Sequence, residues 1–237
     1  MEQILNAITL KTADYGENDK MLTLFSLEKG IVCVGAKGVK RDKARLKFTA
    51  EPFCFSEFVI TEKSGRKTLK NATCRKSYFR ICQNLKAYFC ASVTAEFVLT
   101  FFKDYAEVLV FENLVFALEN YLAGKTNITL VKFLLEGLSQ AGYGLDFSGC
   151  NSCGEEILDR VFLNAGASSF MCENCKTEGA IEFRYSTYQK LKSINEKGYE
   201  ELVEEDGEDI INCLKLLKLY VQSRSGVKLR SFDFVLG

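Results

Sequence analysis

Histidine and tryptophan are absent from this 237-residue sequence, and Pro52 is its only proline. The missing histidine removes the commonest general base near neutral pH, and with it every Ser-His-Asp and Cys-His nucleophile arrangement. A phosphate-cradling loop is missing too, because GAKG at Gly35–Gly38 has the spacing of neither GxxxxGK[ST] nor GxGxxG. No apolar stretch approaches the roughly 18 uncharged residues of a bilayer span, and no charged segment followed by an apolar run opens the sequence. These absences set the expectation of a non-enzymatic, cytoplasmic protein. In that compartment the 10 cysteines are expected to be reduced, so a disulfide framework is not expected.

Net charge is also missing, since Lys plus Arg and Asp plus Glu each number 31. The balance hides an asymmetry: residues 1–80 hold 16 basic against 9 acidic side chains, leaving 15 against 22 for residues 81–237. With 47% hydrophobic residues the chain is long enough for more than one buried core.

Apolar runs at Ile4–Lys11, Met21–Ser26, Ile31–Ala36, Phe53–Thr61 and Lys67–Cys74 are separated by the turn signals DYGEND, EKG and EKSGR. Five short strands in this span predict a small β-barrel of the OB type, over residues 1–77. From Tyr78 the apolar period lengthens. Leu85, Phe89, Val93, Phe97 and Phe101 recur every fourth residue, and Val108, Phe111, Val115, Leu118 and Leu122 step by three and four, as packing helices require. A third helix is expected from an N-cap at Thr126 or Asn127, a fourth from a capping box at Ser186 and Gln189, and a last long one through Ile210, Leu214, Leu217 and Val221. The fold class is therefore α+β multidomain: a barrel, then a helical domain over 78–237 with a cysteine-bearing segment, 146–182, inserted in it.

That segment carries Cys150, Cys153, Cys172 and Cys175 as two C-x2-C pairs separated by 18 residues, the spacing of a four-thiolate zinc site. Each pair supplies two corners of a tetrahedron from one turn, and a closed shell leaves no position for a reacting water, so one structural Zn2+ is expected. A redox reading needs a C-x-x-C at a helix N-terminus near a βαβ unit, a setting neither pair shows. Arg160 and Lys176 lie near the four cysteines as candidate charge partners or as solvated side chains. The remaining cysteines read as small core residues.

The strongest binding signal is GAKGVKRDKARLK, Gly35–Lys47, where Lys37, Lys40, Arg41, Lys43, Arg45 and Lys47 surround the single acid Asp42. Such a loop suits phosphate contact, with Phe48, Phe53 and Phe55 as stacking faces if exposed; a solvated basic loop is the plainer alternative. The acidic run Glu200–Ile210 reads as a solvated loop and helix start in preference to a cation site.

The order YGENDKMLTLFSLEKG, AKGVKRDKARL, EPF, a helical segment, the paired C-x2-C knuckles and VKLRSFDFVL resembles the RecO family of bacterial DNA repair and recombination proteins across nearly the whole chain. The resemblance implies an N-terminal OB-fold, a helical domain and an inserted zinc segment. It also implies binding to single- and double-stranded DNA, annealing of complementary strands, and work with RecR in loading RecA onto DNA coated by single-strand-binding protein, in the cytoplasm at the nucleoid. Carried onto this sequence, Lys37, Lys40, Arg41, Lys43 and Arg45 become DNA contacts and the four cysteines zinc ligands. Family members often carry two glycines where this chain has Ser168–Ser169, and Lys-Ser before a basic residue where it has Lys43–Ala44–Arg45. The acidic, apolar-ended tail of single-strand-binding protein calls for a groove flanked by cations, for which Lys86, Lys103, Lys125 and Lys132 are candidates. The rival from another class is a structural zinc-ribbon adaptor that docks proteins without functional DNA binding.

Overall fold

The computed structural model describes residues 2–103 and 106–237. Its N-terminal strands are β1 (Glu2–Tyr15), β2 (Asp19–Ser26), β3 (Gly30–Ala36), β4 (Cys54–Lys63) and β5 (Arg66–Ser77), closed into a barrel in the order β1-β2-β3-β5-β4. Strand β1 pairs antiparallel with both β2 and β4, while β3 and β5 meet in parallel at Gly35 and Thr68. This is OB-fold topology, and closure removes the free strand edges that an open sheet would present. Alternation along β3 sends Val32, Val34 and Ala36 inward and Cys33 outward. The interior is completed by Leu5, Ala7, Leu22, Leu24, Phe58 and Ile60. Each buried Leu, Ile or Val contributes about 1.5–3 kcal/mol.

The strands outrun their apolar stretches. Strand β1 continues beyond Lys11 because Ala13, Asp14 and Tyr15 stay in register with Met21, Lys20 and Asp19. Backbone pairing, not side-chain burial, fixes that end of the ladder.

The chain divides into two compact units. The barrel unit also contains Phe102–Leu122, and so the helix α2 (Val108–Leu122). Phe111 of α2 lies 5.9 Å from the Phe25 ring and 5.6 Å from Phe55. Glu119 accepts hydrogen bonds from Lys76 Nζ at 2.5 Å and Tyr78 Oη at 2.6 Å.

The second unit comprises Phe89–Phe101, most of helix α1 (Leu85–Phe101), together with Ala123–Gly237. Its helices are α3 (Asn127–Gln140), α4 (Tyr185–Glu196), α5 (Glu208–Ser225) and α6 (Phe232–Val235). Helix α3 is buried along almost its whole length and packs against α4 and α5. Thr126 is its N-cap, as expected, but the capping group comes from far along the chain. Glu204 accepts from the Thr126 N–H at 2.7 Å, the Thr126 hydroxyl at 2.6 Å and the Asn127 N–H at 3.3 Å. A carboxylate there satisfies orphan donors and complements the helix dipole.

Phe97 of α1 meets Phe133 of α3 edge-on at 5.7 Å. Gly137 permits the approach, because a Cβ at that position would stand 2.6 Å from Phe97 Cε1. Overpacking of this kind costs about 1–3 kcal/mol. Gly137→Val is therefore expected to lower the thermal midpoint of the full chain, read by circular dichroism; an unchanged midpoint would show that Phe97 has room to move.

Between α3 and α4 the chain forms a small sheet in the order β6-β8-β7-β9, from β6 (Asp146–Cys150), β7 (Val161–Asn164), β8 (Ser169–Met171) and β9 (Ile181–Phe183). Phe170 of β8 packs on Phe147 and on Tyr188 of α4, each at 5.0 Å. The capping box expected at Ser186 and Gln189 does not form. Strand β9 delivers the chain to an N-cap at Arg184, and the Ser186 hydroxyl instead donates to Asp209 at 2.7 Å. Among the described residues no helix is long and apolar enough to cross a membrane.

Candidate metal centre and nucleic-acid interface

The small sheet brings the two cysteine pairs together. Cys150 ends β6, and a tight turn follows in which Gly154 N–H donates to the Cys150 carbonyl at 2.8 Å. Gly149 makes that turn possible: its φ is +138°, and a Cβ would lie 2.8 Å from the Glu155 carbonyl oxygen. Cys172 follows β8 directly, and Cys175 N–H donates back to the Cys172 carbonyl at 3.2 Å, closing the second turn. Asn151 N–H, donating to the Phe170 carbonyl at 3.0 Å, ties the first knuckle to β8.

The sulfurs of Cys150, Cys153, Cys172 and Cys175 consequently all lie within 4.8 Å of one another, an arrangement able to hold a metal ion. Their environments differ. Burial pushes the Cys150 thiol up, but hydrogen bonds from the backbone of Cys172, Cys153 and Ser152 outweigh it and hold the thiol at about 6. The Cys175 thiol is pushed up to about 12, first by hydrogen bonding with Cys172 and Cys153. Sulfurs this close cannot all ionise beside one another without a cation, and a bound cation would deprotonate them outright. Arg160 pairs with Glu173 and, at 2.6 Å, with Glu182. Lys176 lies over the Phe162 ring at 5.0 Å. Both cations brace the rim of the knuckles.

Ser168 sits at φ +54°, the left-handed conformation for which glycine is the usual solution. Its hydroxyl is hydrogen-bonded to Tyr220 Oη at 2.6 Å, a bond that a glycine would forgo.

The basic segment leaves β3 as a string of tight turns, with Arg41 N–H donating to Gly38, Ala44 to Arg41 and Lys47 to Ala44. It is pinned to the β1–β2 turn, since Gly38 N–H donates to Asp19 Oδ1 at 2.7 Å and Lys40 N–H to the Asn18 carbonyl at 3.1 Å. Lys37, Lys40, Arg41, Lys43, Arg45 and Lys47 are all exposed. Lys40 is spent on Asp14 at 2.9 Å, and its ammonium holds that carboxyl below the usual carboxylate range. Lys37, Arg41, Lys43 and Arg45 line one concave surface of about 350 Å³. Two of the three phenylalanines considered as stacking faces are engaged elsewhere. Phe53 is 2% exposed, and half-buried Phe55 packs on Phe111; Phe48 is half-buried as well.

The four lysines considered for a protein tail are not gathered in one unit. Lys86 and Lys103 belong to the barrel unit, Lys125 and Lys132 to the second. Lys132 is 4% exposed and donates to Glu136 at 2.7 Å and to the Asn195 carbonyl at 3.1 Å, so its ammonium is an internal brace. A groove of about 260 Å³ in the second unit, lined by Phe183, Arg184, Lys215, Leu216 and Leu219, carried no sequence signal beyond helical periodicity.

Residues 1–78 match the family described as "Recombination protein O N terminal", and residues 82–232 match "Recombination protein O C terminal". A "DNA repair protein RecO" from Clostridium novyi is 27% identical, over 96% of this chain and 91% of its own length. Proteins of the same description from Clostridium perfringens and an Exiguobacterium species are 24% and 26% identical, covering 96% and 98% of this chain and 96% and 94% of their own.

Proposed function

The chain belongs to the RecO family of DNA repair proteins, and from that premise we propose that it is a non-catalytic recombination mediator. It binds single- and double-stranded DNA, anneals complementary strands, and with RecR helps load RecA onto DNA coated by single-strand-binding protein, in the cytoplasm. The observation that carries this reading is the cluster of exposed cations at Lys37, Arg41, Lys43, Arg45 and Lys47, pinned to the rim of an OB-type barrel. Phosphate contact supplies most of the sequence-independent affinity for nucleic acid.

The metal is Zn2+, held by Cys150, Cys153, Cys172 and Cys175. Zinc accepts four thiolates in a tetrahedron, and such a site is structural. Its part is to hold the small sheet together; nothing in the DNA reading passes through it.

For the tail of single-strand-binding protein the groove at Phe183, Leu216 and Leu219 is the docking surface, with Lys215 meeting carboxylates, while Arg184 is paired at 2.8 Å with Glu208 on the same groove. A tail peptide is expected to bind the full chain with a Kd on the order of micromolar, about −8 kcal/mol. Lys215→Glu is expected to weaken that binding in fluorescence polarisation; equal binding by the variant would move the tail elsewhere.

Annealing tests the whole reading. The full chain should speed pairing of complementary oligonucleotides with no nucleotide cofactor present. A protein that neither binds nor anneals strands would instead be the zinc-ribbon adaptor.

A further inference from the structure

We propose that Cys54 and Cys74 join in a reversible disulfide when a hydroperoxide oxidises the barrel unit. This modification site is separate from the metal knuckles and from the basic loop, and it does not rest on the DNA reading.

The pairing of β4 with β5 builds it. Cys54 opens β4 opposite Ser77, Phe55 faces Lys76 and Ser56 faces Cys74, so the register skips Arg75. A bulge of this kind re-aims the side chains beside it. Here the two sulfurs stand 3.8 Å apart in a hydrogen bond, and Ser56 Oγ lies 3.2 Å from the Cys54 sulfur. The two thiols differ in access. Cys74 reads from its strand as a core residue but is exposed, whereas Cys54 is fully buried. Burial also pushes the Cys54 thiol up to about 12, which makes it a poor first nucleophile. An exposed thiol touching a sheltered one lets a peroxide meet the first and the second resolve the product.

The chemistry balances with the hydroperoxide as the sole oxidant. The Cys74 thiolate attacks a peroxide oxygen and the O–O bond breaks; Cys74 becomes a sulfenic acid, and the other oxygen leaves as an alcohol or water. The Cys54 sulfur then attacks the Cys74 sulfur, the S–O bond breaks, and hydroxide leaves with the Cys54 proton as water. Two thiols are oxidised to one disulfide and one peroxide is reduced.

The link closes the β4–β5 hairpin at its open end. The chain enters β4 through Phe53, whose φ of +59° is one that side chains rarely adopt and whose N–H donates to the Thr9 carbonyl at 2.8 Å. A disulfide at the next residue fastens that entry, where the chain returns from the basic segment, and constrains the unfolded barrel.

The test treats the full chain with hydrogen peroxide, blocks free thiols with iodoacetamide and digests with trypsin in the absence of reductant. The expected product, from monomeric protein, joins the tryptic peptide 48–63, which holds Cys54, to the peptide 71–75, which holds Cys74. Dithiothreitol should part them. Cys74→Ser changes an exposed position, so it should keep the fold, yield no joined peptide and leave Cys54 reduced. Cys54→Ala should leave a sulfenic acid at Cys74 that dimedone traps. Absence of the joined peptide from oxidised wild type, with Cys74 carried on to sulfinic acid, overturns the proposal. A joined peptide found only in disulfide-linked dimers overturns it too, as does oxidation of Cys54 in folded Cys74→Ser at the wild-type rate.

Discussion

Replacing Cys172 by Ser should strip the protein of most of its metal and melt the small sheet. The expected wild-type content is one zinc per chain, from the four sulfurs that lie within 4.8 Å of one another. Serine keeps the size of the side chain but offers a hydroxyl, which is a far poorer zinc ligand than a thiolate. Strands β6, β7, β8 and β9 are 5, 4, 3 and 3 residues long. Sheets built from pieces this short do not support themselves, so the metal's binding free energy becomes folding free energy, on the order of 10 kcal/mol in zinc-finger peptides. Phe170 and Tyr188 share the same packing, so loss should spread into α4 and appear as a lower thermal midpoint alongside the lower zinc content. Chelation of the wild type should have the same effect. Full zinc occupancy in a Cys150→Ser, Cys153→Ser double variant, read by atomic absorption, would defeat the assignment.

Reversing Arg41 and Lys43 to Glu should change the salt dependence of DNA binding, not merely its strength. With Lys40 paired to Asp14, the other exposed cations of the loop are Lys37, Arg41, Lys43, Arg45 and Lys47. If each neutralises one phosphate of a single strand, log affinity falls with log salt at a slope near −3.5, from roughly −0.7 per contact. Removing two contacts should bring the slope to roughly −2. The fold should survive, because the loop is held by backbone hydrogen bonds and by Asp19, not by these side chains. An unchanged slope would place the phosphates on another surface. Lys40→Glu is expected to act differently, since it sets a second carboxylate against Asp14 and disturbs the loop's attachment.

The barrel and long helices could be read from the sequence because each obeys a period, two along the strands and near 3.6 along the helices. The cysteines could be read because ligand spacing survives any local structure between the pairs. What escaped depended on partners far along the chain. Glu204 looks like one acid in a solvated run, and only folding carries it to the N-terminus of α3. Gly16–Asp19 and Lys37–Gly38 stand out separately in the sequence, yet the Asp19–Gly38 hydrogen bond makes them one device for presenting the basic loop. Ser186 and Gln189 have capping-box spacing, but a preceding strand fixed the helix start two residues too early for it. Strands as short as β8 and β9 carry too few residues for any alternation to register.

Strand pairing through the cations of the barrel is what the proposed function requires. The direct measurement is the annealing rate of complementary strands coated with the cognate single-strand-binding protein, followed by fluorescence quenching for the wild type and for the Arg41→Glu, Lys43→Glu variant at matched zinc content. The wild type should accelerate pairing and the variant little or not at all. Equal acceleration by both would contradict the assignment of the loop, and none by the wild type would contradict the mediator reading.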